Sequence, residues 1–168
     1  MTETVATGKG SETMARDVKA DDGNWLLTVT SRTMRKYAWI SVAVVMAVHI
    51  FMGAVVNVGD TGAQVTLIDI LAFPMLGVVI SAACLLMLRP RVRANANGVE
   101  VRNFLGPRFY PWRDVYGLSF PADKQWARLE LPDFEFVPMW AMQARDGEDV
   151  VEAVRGFREL EDRYMPED

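Results

Sequence analysis

Two apolar runs set the pattern of this chain. Tyr37 to Val58 is 22 residues without a formal charge, and Ile70 to Leu88 is another 19. As helices at about 1.5 Å per residue, runs of this length cross a hydrocarbon core of about 30 Å. Neither run shows the one-sided apolar stripe of a soluble core helix, so both predict transmembrane helices, over 37–58 and 65–88, joined by a short loop at 59–64. Arg32, Arg35 and Lys36 precede the first run, and Arg89, Arg91 and Arg93 follow the second. Gly59 to Gln64 has no Lys or Arg, so the positive-inside rule predicts a hairpin with both termini cytoplasmic and the loop outside. Tyr37 and Trp39 stand where an interfacial aromatic belt belongs. Ala43 and Ala47 match Gly77 and Ser81 in depth, predicting close helix contact through small residues, and Pro74 predicts a kink in the outer half of the second helix.

Two polar side chains interrupt the apolar stretches. His49 falls near the bilayer centre, where a neutral imidazole bonded to the neighbouring helix is the simplest role and a partner contact the alternative. Asp69 falls close to the outer end. It is read as an interfacial residue, or else as a docking contact for another membrane subunit.

The flanks follow other rules. Residues 1–36 form a cytoplasmic tail whose first 24 residues lack apolar periodicity and are expected to be disordered. Trp25 to Thr30, WLLTVT, is β-branched and reads as a short strand or an interfacial anchor. It could join the sheet built after the hairpin. From residue 89 onward the pattern alternates with period two. Val92–Ala94 and Val99–Asn103 flank an Asn-Gly turn, and further strands are predicted over Arg108–Tyr110, Asp114–Phe120, Trp126–Leu131 and Phe134–Met139. The period then changes. Asp146 is the candidate N-cap, and Val150, Val151, Val154, Phe157, Leu160 and Tyr164 recur at helical spacing. Short antiparallel strands closed by one amphipathic helix predict an α+β chain: a two-helix transmembrane hairpin plus a small β-barrel or bent sandwich over 89–168, capped by a C-terminal α-helix.

Composition narrows the chemistry. The 168 residues contain one cysteine, Cys84, and one histidine, His49, both inside the apolar runs. A disulfide framework, a thiolate or histidine metal site and a Ser/His/Asp or Cys/His centre are therefore excluded from the remainder. No glycine-rich phosphate loop is present, and neither an enzymatic activity nor a cofactor is expected. A net charge of −4 and a pI near 5.1 argue against nucleic acid. The charge is split, however. Residues 89–113 hold six arginines and one acid, whereas residues 114–168 hold six basic and fourteen acidic residues.

Arg89-Pro90-Arg91, the Asn-Gly turn before Val99, Pro111-Trp112-Arg113-Asp114-Val115 and the late Asp146-Gly147 entering a helix resemble the bacterial PH-like family named after the actinobacterial low-molecular-weight antigen 6. The resemblance covers about residues 37 to 165, including the paired spans, in the two-span membrane-anchored form. It implies a pleckstrin-homology-like fold of seven strands and a C-terminal helix, with no catalytic residue or cofactor. Residues 89–140 supply six strands at most, which leaves the seventh open. By analogy with basic first strands in eukaryotic PH domains, Arg89, Arg91, Arg93 and Arg102 are candidate contacts to anionic lipid, although Arg89 to Arg93 also satisfy the positive-inside rule alone. Trp140, Trp112, Asp69 and His49 are candidate contacts to a protein partner, although a core role is the default for two of the three tryptophans Trp112, Trp126 and Trp140. The function expected is a non-catalytic scaffold or accessory subunit that holds a protein partner at the inner face of the cell membrane. An anionic-lipid-sensing module is the alternative, and membrane lipids, a membrane or cytoplasmic protein and a second copy of the chain are the candidate partners.

Overall fold

A computed structural model describes residues 24–56 and 66–165. The expected disordered tail and external loop lie almost wholly outside the described residues. The chain forms two compact units: Ser31–Pro90, and the residues up to Thr30 together with those from Arg91 onward.

Among its described residues the second unit has seven strands, a set of 3-10 turns and one helix. The strands are β1 (Leu27–Val29), β2 (Arg91–Asn95), β3 (Gly98–Arg102), β4 (Pro107–Pro111), β5 (Gly117–Ser119), β6 (Trp126–Glu130) and β7 (Phe136–Gln143). They form two antiparallel sheets, ordered β1-β2-β3-β4 and β5-β6-β7, and β7 runs against β2 and β3 without closing a barrel. WLLTVT thus supplies the missing strand. Leu27 pairs with Ala94 and Val29 with Val92, so the sheet is completed by a segment that precedes the hairpin in sequence. The C-terminal helix, Glu148–Tyr164, follows Gly147, whose φ of 61° a glycine adopts freely. The expected N-cap Asp146 belongs instead to a preceding 3-10 turn, Ala144–Asp146.

Period two explains the core. Val92, Ala94, Val99 and Val101 from the first sheet meet Ala127, Leu129 and Met139 from the second, with Val150, Ala153, Phe157 and Leu160 closing the space from the helix. Asp114–Phe120 is not one strand: Trp112–Asp114 is a 3-10 turn and only Gly117–Ser119 pairs. That turn drives Trp112 inward, with its indole N–H donating to the Asn95 carbonyl at 2.9 Å and its ring edge-on to Phe157 at 5.7 Å.

Three sheet edges are protected against strand addition. β1 has only three residues, and β4 begins and ends with proline. At the β5 edge the Leu118 N–H donates to the Glu161 carboxylate of the helix at 2.5 Å. Burial raises the Glu161 carboxyl above the ordinary glutamate value, opposed by the Leu118 amide and Arg158 and reinforced by Asp162. The folded chain therefore holds this proton more tightly than the unfolded chain. The associated stability is present in acid and is lost as pH rises from the ordinary value through the raised one. Glu161→Gln keeps an oxygen acceptor for Leu118 without a buried charge. It is expected to raise the melting temperature of the full chain in detergent at about pH 7.5, with the gain vanishing near about pH 4, checked by thermal melts at both.

In the first unit, α1 (Arg32–Val56) lies antiparallel to α2 (Leu67–Cys84), which continues as a 3-10 turn over Leu85–Leu88; the C-terminal helix Glu148–Tyr164 of the second unit is α3. Both helices are long and apolar enough to cross a membrane. The small residues at their contact differ from expectation. Gly77 and Ser81 are buried, but Ala43 and Ala47 are exposed, and α1 contributes Gly53, Met46 and His49 instead. A Cβ on Gly77 would come within 2.9 Å of His49 Cβ, and one on Gly53 within 3.0 Å of the Ile70 carbonyl oxygen. That carbonyl stands one turn before Pro74, which has no N–H to offer it. His49 bonds to its own helix, Nδ1 to the Val45 carbonyl at 2.8 Å, and not to the neighbouring one. Asp69 accepts from the Thr66 N–H at 2.9 Å and the Thr66 hydroxyl at 2.7 Å, a local closure of the α2 N-terminus.

Candidate interaction surfaces

Strand register gathers the arginines. Arg91 faces Arg102 across the β2–β3 ladder and Arg93 faces Glu100, all on the side opposite the valine core. Glu100 is only 8% exposed and accepts from Arg91 Nη2 at 3.3 Å. Phe109 of β4 lies opposite it. Arg93 carries its guanidinium over the Trp25 ring, 5.6 Å from the centroid. The face is therefore three arginines around one nearly buried carboxylate, a net positive patch whose centre is neutralised from within. Arg102 has no ion-pair partner among the described residues. Arg89 belongs to the hairpin unit.

The tryptophans divide. Trp112, expected as a partner contact, is 3% exposed, and its packing on Phe157 makes it a core residue. Trp140 is half-buried in the middle of a three-ring row, stacked on Trp126 at 4.6 Å and tilted against Phe104 at 5.5 Å. The β6–β7 ladder makes room for it, because Trp126 pairs with Gln143 while Ala127 pairs with Met139. With a ring on each side, Trp140 fastens the β3–β4 turn to β7. Asn103 repeats the tie, Nδ2 donating to the Pro138 carbonyl at 2.8 Å. Beside the row, Arg128 lies over the exposed Phe136 ring at 4.8 Å.

A concave surface lies along the C-terminal helix α3. An open groove of about 940 Å³ is floored by Phe120, Val150, Val151 and Val154 and rimmed by Glu148, Glu152 and Arg155. Val151 shares the helical spacing of the core residues but is 58% exposed. It follows the buried Val150 by one residue, about 100° around the helix, and this places it at the groove instead of the core. Among the described residues, no group of three or more His, Cys, Asp or Glu side chains converges to hold a metal ion.

Comparison with known proteins adds family but no ligand. Residues 89–160 match the family described as Bacterial PH domain. An uncharacterized protein of Mycobacterium bovis and uncharacterized proteins of two strains of Mycobacterium tuberculosis are each 34% identical over 148 residues, spanning 88% of this chain and 96% of theirs. No solved structure matches. The seven strands in two antiparallel sheets, the closing helix and relatives matched across almost their whole length together place this chain in the bacterial PH domain family.

Proposed function

We propose that this protein is a non-catalytic PH-like module, anchored at the inner face of the cell membrane by its helical hairpin, that holds a protein partner there. The α3 groove is the observation that carries this reading. An apolar floor that includes the exposed Val151, bordered by Glu148, Glu152 and Arg155, suits a partner segment bringing one large apolar side chain with polar neighbours. The protected sheet edges support the same reading, because strand addition is hindered and side-chain docking is not. Both termini are assigned to the cytoplasm on the distribution of basic residues around the spans.

Val151→Arg tests the groove. The side chain is largely solvated, so the melting temperature of the full chain in detergent is expected to stay within about 2 °C of wild type. A protein that co-purifies stoichiometrically with the wild type from native membranes is expected to fall at least about tenfold with the variant, a loss of about 1.4 kcal/mol. Retention of every co-purifying protein by Val151→Arg would reject the groove as the seat.

The arginine face favours a second reading, contact with anionic lipid. Arg91, Arg93 and Arg102 stand together on one face, and each basic group near an anionic surface contributes about 1 kcal/mol. The Arg91–Glu100 pair lowers that sum and ranks this reading second.

A further inference from the structure

The β3–β4 turn presents a leucine that the fold does not use. Leu105 is 102% exposed, and its neighbour Gly106 has open space where a Cβ would lie. Flanking residues are secured: Asn103 bonds to Pro138 and Phe104 packs on Trp140. The turn is thus held firmly while its tip offers an aliphatic side chain to whatever lies outside.

Register fixes where that tip stands within the PH-like unit. Val29 pairs with Val92, so the chain leaves for the hairpin at Thr30, beside the point where it returns at Arg91. Arg91 pairs with Arg102, and Arg102 with Pro107, so the turn 103–106 lies at that same end of the sheet. One rim therefore carries both junctions with the apolar hairpin, the exposed Leu105, Arg91 and Arg102, and the exposed Arg108 next along β4. An aliphatic tip between two arginine-bearing strand ends, Arg102 on one face of the sheet and Arg108 on the other, has the chemistry of a bilayer interface, with the alkyl chain entering the acyl boundary and guanidinium groups meeting phosphates.

We infer that this rim rests on an anionic bilayer, with Leu105 inserted as an apolar contact between Arg102 and Arg108. The inference depends on the reading that the hairpin spans the membrane. The lever is the tether: once the hairpin is inserted, both junctions keep this rim at the bilayer, and one leucine suffices where it could not recruit a free protein.

The test uses the full chain with Cys84 replaced by serine, in nanodiscs of phosphatidylcholine and phosphatidylglycerol. Single cysteines at Leu105, Val79 and Val151 carry an environment-sensitive fluorophore, and lipids with nitroxide-labelled acyl chains serve as quencher. The label at 105 is expected to emit as in an apolar medium and to be quenched at least about threefold more than the label at 151, with less quenching in pure phosphatidylcholine. Quenching at 79 with water-like emission at 105 would overturn the inference and leave the membrane-spanning reading intact. Water-like emission at 79 as well would reject the spanning reading and the inference with it. A label at 105 that turns apolar only when native membrane proteins are added would identify a protein contact and also overturn the inference. Leu105→Asp is expected to leave the melting temperature in detergent unchanged, which separates a surface role from a structural one.

Discussion

Phe157→Ala is expected to remove most of the stability of the PH-like unit. The ring is 0% exposed and lies where α3 meets both sheets, with Trp112 edge-on at 5.7 Å. Truncating a buried phenylalanine costs about 3–5 kcal/mol, the transfer free energy of the lost atoms plus the cavity left behind. Small domains have only about 5–15 kcal/mol in total, and each kilocalorie lost lowers the melting temperature by about 4–8 °C at this size. A drop of about 15 °C or more follows, read as loss of the near-UV circular dichroism and tryptophan emission of the full chain in detergent. Relaxation at this site is limited because its aromatic neighbour is fixed by another bond. Trp112 cannot follow the cavity without breaking its N–H bond to Asn95. A shift below about 5 °C would show that the α3–sheet packing is looser than this structure has it.

What could be read in the sequence depended on whether a residue's role was local. Alternation marked β2, β3 and β6 because their side chains point in turn to the core and to the opposite face of the sheet, and the two apolar runs needed only length and charge. The asymmetry of Val150 and Val151 was harder, because helical spacing groups both with the core and only the packed sheet shows which one it covers. A core role was the default for two of the three tryptophans, but which of them it fell to was not legible, since a 3-10 turn after Pro111 aims Trp112 inward. The Gly77 contact with His49 was half legible: small residues announce close approach on their own helix without naming the partner's side. Leu105 had no signal at all, because a turn leucine looks the same whether it folds back or stands free.

The position of β1 has a larger consequence for function. The hairpin is an insertion between β1 and β2, not an appendage at one end. A fragment beginning at Arg91 would lack the strand that covers Val92 and Ala94 and the Leu27 contact with the helix. Anchor and module are thus one folding problem, and binding assays on the part after the hairpin would measure a damaged sheet. The same topology returns the chain to the junction rim twice.

Gly98→Ala carries the second large expected effect, and it acts through backbone, not volume. Gly98 closes the Asn-Gly turn at the start of β3, directly opposite Pro111 of β4. A Cβ there would lie 2.2 Å from the Tyr110 carbonyl oxygen and 2.7 Å from Pro111 Cα, and neither is the movable end of a side chain. Relief requires β3 and β4 to separate or the turn to rotate. Rotation is opposed by Asn95 Oδ1, which accepts from both the Asn97 and Gly98 N–H groups, at 2.9 and 3.1 Å. The Asn95 carbonyl is in turn held by the Trp112 indole, so a movement at this turn reaches the core. The cost is expected to be about 3 kcal/mol or more, beyond the usual range for one extra methyl in a core, because the φ of 159° is also one that alanine rarely adopts. Thermal melting of the full chain checks the magnitude. Hydrogen exchange locates it: protection should fall first at β3 and β4, with the hairpin unit unchanged. Uniform loss across both units would mean that the clash is relieved elsewhere, and that the turn does not act as the hinge between sheet and tryptophan.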